Sequence, residues 1–161
     1  MIVNIIILAL VTLQRVGELC LSNRNTRRLF AQGAHEHAPE HYPLIVALHA
    51  AWLIALWLLA LSRTIDPFWL ALFVFIELAR IWTLASLGER WTTRIIVLPE
   101  APLVRRGPYR WINHPNYWVV IAEIAVLPLV FGLWWVSLLF SLLNAALLIV
   151  RIHQENRALG R

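Results

Sequence analysis

Two stretches of the chain concentrate side chains able to do chemistry. The first is Gly107-Pro108-Tyr109-Arg110-Trp111-Ile112-Asn113-His114-Pro115-Asn116-Tyr117. Gly107-Pro108 encodes a turn, and Pro115 suits the first position of a helix with His114 beside its cap. The leading N–H groups of a helix lack intrahelical acceptors and carry the positive end of its dipole, so this start suits a carboxylate or a phosphate. Tyr109, Trp111, Tyr117 and Trp118 supply aromatic surface around it, which serves equally well as an interfacial belt in a membrane protein. The second stretch is Ser137, Ser141, Asn144, Arg151 and Glu155, spaced by four, three, seven and four residues on one helical face. A packing stripe would be small throughout. Arg151 and Glu155 exceed that need, so this face is expected to form one wall of a cavity opening to the cytoplasm. The alternatives are a cap for His114 and a helical salt bridge for Arg151 with Glu155.

Further ionisable residues lie in apolar surroundings: Arg15, Glu18, His49, Glu77, Arg80 and Glu123. A charge at mid-membrane costs roughly 2.5–3.5 kcal/mol on insertion scales, so such groups are expected to face the bundle interior with partners. Arg15 with Glu18, and Glu77 with Arg80, are three apart and read as structural ion pairs. His49 reads as a hydrogen-bonded interior residue or as part of a lipid tunnel. Glu123, two turns past Tyr117, reaches either the cavity or a neighbouring helix. His35, Glu36, His37, Glu40 and His41 read as a solvated or substrate-gating loop rather than a metal site. Cys20, the single cysteine, has no disulfide partner and reads as a small packing residue.

The elements that must position these groups follow from hydropathy. Of 161 residues, 60% are apolar and 14% charged, against about 25% charged in soluble domains, and the mean hydropathy is +0.68. A water-soluble globular protein is thereby excluded. The expected fold is an all-α integral membrane protein in one domain over 1–161. About five transmembrane helices fall at 1–22, 43–62, 66–88, 116–131 and 133–152, with the last two short enough for a tilted hairpin around Pro128 and Gly132. The stretch Met1–Leu13 lacks a basic flank and a cleavage site and reads as part of the mature chain. All 14 basic residues are arginine. Arg24, Arg27, Arg28, Arg90, Arg94, Arg105, Arg106, Arg110, Arg157 and Arg161 fall on one side and Arg63 on the other, which puts the N-terminus outside and the C-terminus in the cytoplasm. Topology accounts for the +5 charge, and nucleic acid is not an expected partner.

Gly107-Pro108-Tyr109-Arg110, His114-Pro115-Asn116-Tyr117 and the Arg151 to Glu155 end of the last helix together resemble the isoprenylcysteine carboxyl methyltransferase family of integral membrane enzymes. Leu87-Gly88-Glu89-Arg90-Trp91-Thr92 and the region from Gly33 to His49 are similar to its small bacterial members. The resemblance implies a bacterial inner-membrane enzyme with a cofactor core over about 88–161. S-adenosylmethionine would be held on the cytoplasmic side, leaving S-adenosylhomocysteine as product, and a lipophilic or prenylated acceptor would enter from the bilayer. Asn113 stands where the family usually has Arg, and Glu155-Asn156 where the carboxyl methyltransferases proper have Glu-Glu. Small bacterial members are associated with alkyl pyrone or resorcinol hydroxyls, so carboxylate and hydroxyl acceptors both stay open.

On that resemblance, Tyr109, His114, Pro115, Tyr117 and Glu155 are expected to bind the cofactor, with Glu155 and Tyr117 facing its cation and His114 and the helix start facing its carboxylate. Arg151 and Glu155 are the expected catalytic residues, and His49, Arg151 and Asn156 the substrate contacts. Arg151 would hold a carboxylate acceptor, whereas a hydroxyl acceptor needs Glu155 or His114 as base. Two other classes compete: an NADPH-dependent membrane lipid reductase, which shares a His-Pro-Asn-Tyr element but needs more spans, and a non-catalytic membrane scaffold.

Overall fold

A computed structural model describes residues 1–99 and 101–158. Arg161, counted above toward topology, lies outside them. Five helices carry the fold: α1 (Ile2–Ala31), α2 (Tyr42–Leu59), α3 (Pro67–Leu87), α4 (Pro115–Val130) and α5 (Trp134–Ala158). Four of them, α1, α2, α3 and α5, are long and apolar enough to cross a membrane. α4 has 16 residues, about 24 Å at ~1.5 Å per residue, short of a hydrocarbon core of about 30 Å. The expected five spans are therefore four long helices and one short one, α4; α5, expected to share a short hairpin with it, is long enough to cross.

The fold is mostly helical as expected, with one short ladder in the loops: β1 (His35–Glu36) and β2 (Ile96–Val97) pair antiparallel, His35 opposite Val97 and Glu36 opposite Ile96. Glu36 accepts two bonds from Arg94 Nη1, both 3.0 Å, and His37 N–H donates to the Ile95 carbonyl at 2.9 Å. The histidine-rich loop is thus stitched to the loop after α3, while His35 and Glu40 stay exposed. Among the described residues, no three His, Cys, Asp or Glu side chains converge as metal ligands.

Two helices outrun their apolar stretches. α1 continues past the expected end at 22 because its polar residues there are buried and bonded: Asn25 Nδ2 donates to the carbonyls of Gly88 (3.2 Å) and Trp91 (2.8 Å), and Ser22 Oγ accepts from Thr93 N–H at 2.8 Å. Hydropathy marks where lipid ends, not where a helix ends. α5 likewise runs beyond 152, keeping Arg151, Glu155 and Asn156 on one continuous helix. α3 starts as its sequence dictates: Asp66 Oδ1 accepts from Phe68 and Trp69 N–H, with Pro67 in the first position.

The core draws on all five helices, with Leu8 of α1, Trp52 and Leu56 of α2, Phe73 of α3, Ile124 and Leu127 of α4 and Val136 of α5 buried together. Outward faces are apolar as well, exposing for example Leu10, Leu58, Phe75, Trp82 and Ile149. Apolar surface on that scale suits lipid, not water. Cys20 belongs to this outer surface and is exposed, not packed.

A charged cluster ties α1, α3 and α4 together. Arg80 grips Glu18 through Nε (2.5 Å) and Nη2 (2.6 Å) and Glu123 through Nη1 (2.6 Å). Arg15 bonds Glu18 at 3.0 Å and Glu123 at 2.9 Å. The Arg15–Glu18 pair forms as expected. Glu77 does not pair with Arg80: its carboxylate accepts from Gln14 Nε2 at 2.6 Å, because Arg80 has two better-placed carboxylates on other helices. Glu123 contacts neighbouring helices rather than the cavity described next.

Candidate active site

The first functional stretch folds as a tight 3-10 turn over Gly107–Arg110, followed by the start of α4. Gly107 has φ +56°, and a Cβ there would lie 1.9 Å from Ser86 Oγ on α3. Glycine is required both by the left-handed backbone and by the contact. Arg106 Nε donates to the Ser86 carbonyl at 2.6 Å and fastens the same junction. The turn buries Pro108 and directs Tyr109 into a cavity of about 190 Å³ between this loop, the loop after α3, and the ends of α4 and α5.

Tyr109, His114, Tyr117, Arg151 and Glu155 all line that cavity. Their hub is the Tyr117 hydroxyl, which accepts from Arg151 Nε at 2.8 Å and donates to Glu155 Oε2. The Arg151 guanidinium lies 5.6 Å from the Tyr117 ring centroid, and its Nη2 donates to the Thr93 carbonyl at 2.6 Å. Arg151 and Glu155 therefore meet through Tyr117; among the described residues they form no direct ion pair. His114 stacks on Tyr117 with centroids 5.5 Å apart. Its ring nitrogens face Asn156 Oδ1 (Nε2, 3.0 Å) and Glu155 Oε2 (Nδ1, 3.6 Å). The His114 side chain makes no capping bond to α4; its task is the contact with α5.

Three other expected site residues do not line the cavity. Pro115 is buried as the first residue of α4, and Asn156 supports His114 from behind. His49 sits on α2 and bonds its own helix, Nδ1 to the Ile45 carbonyl at 2.8 Å. The polar stripe of α5 is likewise divided. Ser137 and Asn144 are buried, and Ser137 Oγ donates to the Ala125 carbonyl at 2.6 Å. Only the Arg151 and Glu155 end of the stripe walls the cavity, because the rest is covered by its neighbours in the bundle.

Sequence reasoning assigned no role to Trp91, Thr93 or Asn116. Trp91 and Asn116 line the cavity and, with Tyr109, each present a buried polar atom without a hydrogen-bond partner among the described residues: Trp91 Nε1, Asn116 Oδ1 and the Tyr109 hydroxyl. Buried polar atoms normally find partners, so three orphans around one cavity favour a polar ligand there. Burial, with the Glu155 charge adding to it, pushes the Tyr109 phenol above its ordinary range and keeps it a neutral donor. Asn116 was legible as part of the loop motif, whereas Thr93 acts through its backbone carbonyl, which no side-chain pattern reveals.

Residues 69–161 match the model of the isoprenylcysteine carboxyl methyltransferase (ICMT) family. The chain belongs to that family. The uncharacterized protein YpbQ of Bacillus subtilis (strain 168) is 38% identical over 159 residues, covering 96% of this chain and 95% of its own length. An uncharacterized protein of Haemophilus influenzae (strain ATCC 51907 / DSM 11121 / KW20 / Rd) is 27% identical over 152 residues, 91% of this chain and 88% of that protein. No solved structure matches the chain. The ICMT match begins in α3 and includes the loop motif, α4 and α5, so it takes in the five cavity residues expected to act. Family membership and the apolar helices point to a membrane methyltransferase.

Proposed function

We propose that the protein methylates a lipophilic acceptor using S-adenosylmethionine, with the cofactor in the cavity between the Gly107–Tyr117 loop and the end of α5. The observation that carries this reading is the joining of both sequence motifs at one hydroxyl, that of Tyr117, in a cavity where polar atoms stand unpartnered. The donor set fits the cofactor. Glu155 and the face of Tyr109 suit a cation, the α4 start suits a carboxylate, and Trp91 Nε1, Tyr109 Oη and Asn116 Oδ1 suit sugar or base atoms; the Tyr117 ring is already engaged by His114 and Arg151.

Bound S-adenosylmethionine would supply an electrophilic methyl carbon for in-line attack by an acceptor oxygen. The protein contributes position and dryness. Arg151, fixed by Tyr117 and Thr93, keeps its Nη1 without a protein acceptor among the described residues and would steady an acceptor carboxylate, which needs no base. For a hydroxyl acceptor, the His114 tautomer protonated at Nε2, which faces Asn156 Oδ1, would leave the Nδ1 lone pair to take the proton, with Glu155 beside the resulting imidazolium. Asn156 is in this reading an aid to His114 rather than a direct substrate contact. The arginine distribution supports a cofactor cavity on the cytoplasmic side, with the N-terminus outside.

The test is calorimetric titration of the detergent-solubilised protein with S-adenosylhomocysteine, alongside Glu155→Ala. Expected is saturable binding by the parent and its loss, by roughly tenfold or more in affinity, in a variant that remains folded. No binding by a folded parent, or binding of NADPH in its place, overturns the reading.

A further inference from the structure

A second cavity, of about 560 Å³, lies beside the first, and four arginines line it: Arg28, Arg90, Arg105 and Arg106. They come from the end of α1, the turn after α3 and the loop before Gly107, positions up to 78 residues apart. Topology alone explains arginines on one side of a membrane, but not their convergence on one hollow. Glu89 is the one acidic residue lining it among those described. Three of the arginines are anchored. Arg28 bonds Glu89 at 2.6 Å, Arg90 Nη1 donates to the Pro102 carbonyl, and Arg106 Nε donates to the Ser86 carbonyl. Each anchor uses one nitrogen of the guanidinium and leaves others for a ligand. The remaining lining is largely apolar, Leu29, Leu87, Leu98, Leu103 and Val104 among it.

Guanidinium forks bind phosphate oxygens in pairs, and an apolar floor beneath them suits the start of a hydrocarbon chain. We propose that this cavity is a binding site for the phosphate head of an anionic amphiphile, with the arginines on the phosphate and the leucines on the first methylenes. It adjoins the cavity of the Tyr117 hub without reaching Tyr117 itself, and Leu29, Leu87, Arg90, Leu98, Pro102, Leu103 and Val104 wall both. Occupancy of one therefore steadies a wall of the other.

The experiment titrates the full-length protein in neutral detergent with dioctanoyl phosphatidic acid, with dioctanoylglycerol and with inorganic phosphate, read by intrinsic tryptophan fluorescence. Parent protein, Arg105→Gln, Arg28→Gln and the exposed control Arg24→Gln are compared. Expected is binding of the phosphatidic acid at least tenfold tighter than either half-ligand, weakened fivefold or more by Arg105→Gln and Arg28→Gln and unchanged by Arg24→Gln. Equal binding of inorganic phosphate would mean a soluble-anion site, and equal binding of dioctanoylglycerol an apolar one; either overturns the proposal. So does an Arg24→Gln loss matching the others, which would mark diffuse surface charge. S-adenosylhomocysteine binding in the same samples reports separately on the methyl-transfer site.

Discussion

Tyr109 shows how far a single side chain can be read. The sequence supplied its place in the loop motif and hence its expected contact with the cofactor, and it does line the cavity. That its hydroxyl is buried without a partner among the described residues depends on how the α3–α4 connection closes against the ends of α4 and α5, which no spacing encodes. The unpartnered hydroxyl has a consequence for alkaline stability. The folded chain holds the phenol proton more firmly than the unfolded chain, where release begins near pH 10. Stability is therefore complete below that pH and falls as pH rises above it, toward the elevated folded value. Tyr109→Phe is expected to melt within about 1 kcal/mol of the parent at pH 8, since it removes an unsatisfied group, and to melt higher than the parent at pH 10.5. Parallel alkaline losses in thermal unfolding of the two proteins would contradict this.

Helix pairing was partly visible in the spacing of charges. Arg15 and Glu18 bond as their separation suggests, but Glu77 and Arg80, with the same separation, do not. Side chains three apart can meet only if nothing better approaches from another helix, and Glu18 and Glu123 both approach Arg80. Interhelical geometry decides such cases, and a local pattern does not contain it. Removing one member of a buried ion cluster strands the others, at a cost of about 3–5 kcal/mol. Arg80→Met is accordingly expected to lower the melting temperature in detergent by about 6–20 °C for a chain of this size. Arg63→Gln, at an exposed position, should leave it nearly unchanged. A stable Arg80→Met protein would show that the cluster is not what fastens α1 to α3 and α4. The same distinction between local and distant information explains the helix ends: the apolar stretches were plain, but α1 passes residue 22 because Asn25 and Ser22 bond a loop 66 and 71 residues away.

For the whole molecule, composition alone excluded a soluble protein, and the arginine count gave an orientation. Fusing a reporter that is active only in the cytoplasm to the C-terminus, and separately to the N-terminus, should give signal from the first and silence from the second. The reverse result would invert the proposed topology. The way the chain closes on itself also bears on how such a protein can be divided or inherited. Although the ICMT family match starts at residue 69, Leu29 lines the cavity, and Ser22, Asn25 and Glu36 fasten the loop that roofs it. The motifs are therefore not a portable cassette. A chain cut in the turn between α2 and α3 would yield a C-terminal fragment bearing the recognisable signature and its roof but not the residues that fasten that roof, and the cavity would be restored only when the two pieces were made together and reassembled in the same membrane.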